Sequence, residues 1–301
     1  MTAPILAPIL APFLAPFLAP LLALAASLIF AWNTFIQRRA LEDTDAATGA
    51  FLSVAATALL CWILSPFFVQ AAYWRSPMLW QFAVIGLAFP AAGQWLQIRS
   101  VGAVGPSLTS SLGALTPLVS VTIGVMWLDD AVERWTALGI LLMVGAVAMA
   151  SWSPRGVKRG WPLWALSLPL GAALARGLAQ PGLKDGLSQL PSPFFALMIG
   201  STVSTLVLAL MLLRHRARGR MRVGRGAGRF LIVGVLNGMG ILSLNAALGL
   251  GALAVVSPII ATTPLWTLAL SVIVFRREVL GWRHLVVAAM VVAGAVMILM
   301  R

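Results

Sequence analysis

The chain of 301 residues is 60% hydrophobic and only 10% charged, with a mean hydropathy of +0.97, which excludes an ordinary water-soluble core and implies an integral membrane protein. Its net charge of +13 fits basic loops facing anionic lipid, and no nucleic-acid partner is expected. The single cysteine, Cys61, excludes an intramolecular disulfide and a metal cluster built on thiolates, and no cofactor or metal is expected.

The chain opens on "APILAPILAPFLAPFLAP" (3–20), with a proline at every fourth position. A signal peptide would begin with basic residues, whereas none precedes Arg38. Each proline ring opposes a helix by colliding with the carbonyl four residues back. Residues 1–17 are therefore expected to form a low-complexity extension, extended or polyproline-like. Pro20 is the tolerated first-turn proline of the first span.

A helix crossing about 30 Å of hydrocarbon needs about 20 residues, and a spanning backbone must satisfy its own hydrogen bonds. Ten apolar stretches meet this at about 18–37, 46–69, 77–98, 107–128, 135–152, 161–180, 191–213, 230–248, 254–275 and 282–300. The fold class expected is an all-α membrane protein. It divides into 18–152 and 161–301, joined by a linker at 153–160. Sixteen of the 21 basic residues fall in the loops after spans 1, 3, 5, 7 and 9, including "RHRARGRMRVGRGAGR" at 214–229. The positive-inside rule puts those loops in the cytoplasm and both termini on the opposite, periplasmic side.

The two halves echo each other at a shift of 147 residues. The shift takes Gly102 to Gly249, Ser110 to Ser257, Thr116-Pro117-Leu118 to Thr263-Pro264-Leu265, and Trp135 to Trp282. Each half holds five spans, so the second enters the membrane inverted. Inverted repeats are a construction used by secondary transporters.

The segments "GAVGPSLTSSLGALTPLVSVTIGVMWLDDAVERWTALGILLMVGAVAM" (102–149) and "GALAVVSPIIATTPLWTLALSVIVFRREVLGWRHLVVAAMVVAGAVMI" (251–298) resemble the two EamA repeats of the drug/metabolite transporter superfamily. Shared features are a small-residue turn, a proline-bearing helix, an acid after it (Glu133, Glu278) and a Gly/Ala-rich last helix. The resemblance implies an exporter or permease of the bacterial inner membrane for small metabolites, amino acids or related compounds. It also implies a cavity lined by spans 1, 3, 4, 6, 8 and 9, with spans 5 and 10 peripheral. Where such proteins often carry Trp-Gly in the first helix, this chain has Trp32-Asn33.

The eight acids, Glu42, Asp43, Asp45, Asp129, Asp130, Glu133, Asp185 and Glu278, all fall in loops or at span ends, which argues against proton coupling through a central carboxylate. The polar groups left inside are amides, which both donate and accept. Asn33, Gln94, Gln97, Asn237 and Asn245 are the candidate substrate-binding residues, with Trp266 beside them. Gln97 and Asn245 precede their TPL prolines by 20 and 19 residues, so they occupy nearly corresponding places. Pro90, Pro117, Pro169 and Pro264 are candidate hinges, since each frees a carbonyl one turn back. Arg176, near the outer end of span 6, is expected to snorkel to the interface, with attraction of a substrate carboxylate as the alternative. Two alternatives stay open: a receptor or assembly factor without transport, and a membrane enzyme using "DDAVE" (129–133), which lacks a second acidic cluster. The expected partners are the lipid bilayer and a small-molecule substrate, in a monomer or homodimer.

Overall fold

The computed structural model describes residues 3–104, 109, 112–113, 115–128, 133–151, 162–217, 219, 221–273, 286, 289–290, 293–294 and 297. Among them every regular element is a helix: α1 (Ala3–Ala40), α2 (Ala46–Phe68), α3 (Met78–Ala103), α4 (Thr116–Leu128), α5 (Arg134–Ser151), α6 (Ser167–Gln189), α7 (Pro193–Ala217), α8 (Gly226–Leu250), α9 (Leu253–Ile260) and α10 (Thr263–Ile273). Short 3-10 turns at Ala71–Arg75 and Leu163–Leu166 lead into α3 and α6. Five helices, α1 from Phe17, α2, α3, α7 and α8, are long and apolar enough to cross a membrane. The expected tenth span lies outside the described residues apart from isolated helical positions.

The leader is a correction. Helix α1 runs unbroken from Ala3 through the proline repeat, where an extended or polyproline-like segment was expected. One proline per turn removes one donor in four, while the intervening Ala and Leu favour the helix. An extended apolar strand would leave every remaining amide unpaired, a larger cost wherever water is scarce. Span 6 is also longer than hydropathy suggests, ending at Gln189 with Lys184 and Asp185 inside the helix. Both polar groups are partnered: Lys184 Nζ donates to Gly251 O at 2.7 Å, and Asp185 Oδ2 accepts from Gln81 Nε2 at 2.9 Å.

The helices pack as two interlocked sets. Helix α1 lies against α8 as α6 lies against α3, α2 against α8 as α7 against α3, and α10 against α1 as α4 against α6. One contact repeats atom for atom. Thr57 Oγ1 lies 2.7 Å from Gly234 O, and Ser204 Oγ lies 2.6 Å from Gly86 O. The shift of 147 takes Thr57 to Ser204, and 148 takes Gly86 to Gly234. Each hydroxyl also approaches its own helix, at Ser53 O (3.2 Å) and Gly200 O (2.7 Å), so its one proton is shared. Glycine is required at both seats: a Cβ on Gly86 would stand 2.6 Å from Gly200 O, and one on Gly234 would run into Ser53 O. Without a hydrophobic force between helices in lipid, such close approach lets backbones gain van der Waals contact.

At one end the α1–α2 loop clasps the segment before α8. The Asp45 carboxylate caps α2 through Ala47 N (2.9 Å) and Thr48 N (3.0 Å), and accepts from Arg222 N (2.8 Å). Asp45 N returns a bond to Arg222 O at 3.0 Å, and Asp43 Oδ1 accepts from Gly226 N at 2.8 Å. Burial alone would raise the Asp45 pKa, but the amides of Arg222 and Thr48, the Thr48 hydroxyl and the nearby His215 outweigh it and hold the carboxyl below its ordinary value. A carboxyl depressed on folding contributes stability above its unfolded pKa of about 3.9, and loses it as pH falls through the folded value. The melting temperature of the detergent-solubilised protein should therefore drop as pH is lowered from about 5 toward 3. Asp45→Asn should lower the neutral-pH melting temperature and flatten that acid limb.

Candidate functional site

The site is built from helix breaks. In α3 the regular helix stops at Gly86, and Leu87–Ala92 forms a wider π turn in which Phe89 is extended (φ −146°, ψ 125°) beside Pro90. Ser204 seals this break, accepting from Ala91 N at 3.1 Å while facing Gly86 O. In the second half the chain breaks at Ala261–Thr262, between α9 and α10. Pro264 and Pro117 are the second residues of α10 and α4, where a missing N–H costs nothing. They begin new helices rather than kink continuous ones, which corrects their expected mid-helix placement. Pro169 is corrected likewise: it sits in the first turn of α6.

These breaks border one cavity of about 920 Å³, including its open mouth. Asn33 and Gln37 reach it from α1, Phe89, Gln94 and Gln97 from α3, Arg176 and Gln180 from α6, and Asn237 from α8. Thr116, Ala261 and Thr263 contribute from the breaks, and Ser257 from α9. Spacings of three or four residues put each helical pair on one face. Repeat mates meet here: Asn33 and Gln180, like Thr116 and Thr263, are related by 147. Ser120 Oγ and Ser257 Oγ, 2.6 Å apart, tie α4 to α9 at its edge.

Nine buried side-chain polar atoms lack a hydrogen-bond partner among the described residues, and seven of them line this cavity: Asn33 Oδ1, Gln37 Oε1, Gln94 Nε2, Thr116 Oγ1, Arg176 Nε, Gln180 Oε1 and Asn237 Nδ2. A polar group left unpaired away from water costs about 1–3 kcal/mol. Their convergence gives this open-mouthed cavity a set of polar atoms that water or a polar ligand can satisfy. Asn33 is held in place by its other end, donating from Nδ2 to Val233 O at 3.3 Å.

Of the residues expected to form the site, Asn33, Gln94, Gln97 and Asn237 come together, whereas Asn245 and Trp266 do not line the cavity. Eight residues beyond Asn237, Asn245 is displaced by about 12 Å along α8 and about 80° around it. It borders a smaller recess with Phe82, Ile85 and Phe89, and its Nδ2 donates to Pro193 O at 3.3 Å. Phe89 lines both spaces. Trp266 lies three residues past Thr263, its indole Nε1 buried and unpartnered among the described residues. Arg176 is the clearest correction: it does not snorkel, since α6 extends thirteen residues beyond it to Gln189 and its guanidinium turns into the cavity. Sequence reasoning also missed Gln37 and Gln180, although the shift of 147 already paired Gln180 with Asn33.

A chain whose long apolar helices surround a cavity bearing polar side chains at their breaks is a multi-pass helical membrane protein. The model of the EamA-like transporter family matches residues 17–152 and again 163–300, so the chain belongs to that family. No curated protein sequence matches it. A solved structure described as "Crystal structure of protein" superposes with a TM-score of 0.74 over 93% of this chain and 95% of that one, at 14% identity, a likeness of fold alone. The family is one of transporters.

Proposed function

We propose that the protein is a secondary transporter, an exporter or permease of small polar metabolites with amino acids and related compounds as the first class to test. Transport would proceed by alternating access of two inverted five-helix halves, in a bacterial inner membrane with both termini periplasmic. The observation that carries this is the set of seven unpaired polar atoms around one cavity, bordered by broken helices from both halves. Broken helices at a repeat interface are where carriers hold their substrates. Asn33, Gln94, Gln97 and Asn237 would bind the substrate, and the breaks at Pro90, Pro117 and Pro264 would serve as the joints.

The placement of Gln97 and Asn245 supports alternation. They are repeat mates at 148 residues, yet Gln97 lines the cavity while Asn245 borders the recess behind Phe89. Exchanging the conformations of the halves would exchange those positions. Each amide would then serve the access pathway of one membrane face. In right-side-out and inside-out vesicles, Gln97→Ala should raise KM from one face and Asn245→Ala from the other. Equal effects from the same face would count against alternation. Reconstituted protein that moves no member of an amino-acid and metabolite panel would remove the transporter assignment.

A further inference from the structure

The cavity holds one cation and no anion among its described lining residues. Arg176 lies near the middle of α6, its Nε is buried without a partner, and no described residue forms a hydrogen bond or ion pair with its guanidinium. The Phe89 ring lies beside it, with its centroid 5.7 Å from Cζ. A ring face steadies a cation through its quadrupole without neutralising it. Gly93 leaves room for that ring, since a Cβ there would stand 3.0 Å from Phe89 Cδ2. None of the described acids lines the cavity: Asp43 and Asp45 hold the α1–α2 clasp, Asp185 is bonded to Gln81, and Glu42 and Glu133 are exposed outside the helices.

A guanidinium without an ion pair attracts a counter-charge, and its planar fork fits a carboxylate with two parallel bonds. The other unpaired atoms continue the pattern. Gln94 Nε2, Asn237 Nδ2 and Thr116 Oγ1 are further donors, whereas the oxygens of Asn33, Gln37 and Gln180 accept. Together they give the cavity one cation, three further donors and three acceptors.

We infer that Arg176 is the anion anchor of the cavity and that the substrates are small metabolites carrying one carboxylate, with a hydroxyl or amino group directed to the Asn33, Gln37 and Gln180 oxygens. This rests on the transporter assignment for the same cavity. A single guanidinium matches a single negative charge, which favours a carboxylate over a phosphate dianion. Amines without an acid group would be repelled.

The test uses the full chain, purified for thermal-shift measurements and reconstituted for counterflow. The probes are L-amino acids, hydroxy acids and 2-oxo acids, each beside its primary amide and, for amino acids, the decarboxylated amine, with glycerol 3-phosphate as the phosphate arm. At least one acid should stabilise the wild-type protein and exchange across the membrane, with its amide and amine weaker by about tenfold or more. Arg176→Gln should bring acid and amide to parity, and Arg176→Lys should retain part of the preference. The anchor is overturned if the wild type handles amide or amine as well as acid, if it prefers the phosphate, if no acid stabilises it, or if Arg176→Gln still discriminates. The wild-type comparison decides the matter even if the glutamine variant misfolds. Acid-specific stabilisation without flux would remove the transporter assignment and keep the anchor; flux indifferent to the carboxylate would do the reverse.

Discussion

Gly86→Val should abolish the monodisperse peak in size-exclusion chromatography after detergent extraction. A Cβ at this position would stand 2.6 Å from Gly200 O and 2.9 Å from Gly200 Cα, both backbone atoms that no rotamer change can move. Accommodation requires α3 and α7 to separate. Separation also removes the Ser204 hydroxyl from Gly86 O and from the Ala91 amide at the α3 break. Overpacking costs about 1–3 kcal/mol and each orphaned polar group about as much again, against a total stability of about 5–15 kcal/mol. Gly228→Val is the control, because a Cβ there meets nothing within 4 Å. A Gly86→Val protein as monodisperse and heat-resistant as wild type would show that α3 and α7 do not meet at this seat.

The mate of that seat should fail in the same way. Gly234→Val drives a methyl toward Ser53 O and the Ala56 side chain, the latter 2.6 Å from an ideal Cβ, and pulls Gly234 O from the Thr57 hydroxyl. Its loss of melting temperature, followed by tryptophan fluorescence, should match the Gly86→Val loss within about 4 °C. Thr57→Val keeps the shape and removes only the hydroxyl, so it should cost less than Gly234→Val, about 1 kcal/mol. A tolerated Gly234→Val beside a lethal Gly86→Val would mean that the two halves do not use the same packing device.

Much of this architecture was legible in the chain. Hydropathy marks long apolar helices because the membrane imposes one length on all of them, and the echo of Thr116-Pro117-Leu118 in Thr263-Pro264-Leu265 exposes the duplication before any coordinates. The Thr57/Ser204 and Gly86/Gly234 seats obey nearly the same shift, but small residues and hydroxyls carry little hydropathy signal. They acquire meaning only when two backbones meet. Arg176 was misplaced for a related reason. Lys184 and Asp185 lower the local hydropathy and suggest that the span ends before them, whereas Gly251 and Gln81 satisfy both groups and the helix continues. Once α6 reaches Gln189, Arg176 stands at its centre instead of its rim. The proline leader misled in the opposite direction, since each proline disfavours a helix while the Ala and Leu between them favour one.

The clasp between Asp45 and Arg222 gains importance from where it sits. Asp45 is twelve residues before Thr57, so the clasp is about 18 Å along α2 from the Gly234 contact. Taking that contact as a fulcrum, a tilt of only about 5° between α2 and α8 would carry the clasp atoms about 1.6 Å apart, beyond the reach of bonds now 2.8–3.0 Å long. The loop thus works as an angular gauge at the end of a long arm, and amide exchange at Arg222 and Gly226 would read the angle between the halves far from the cavity itself.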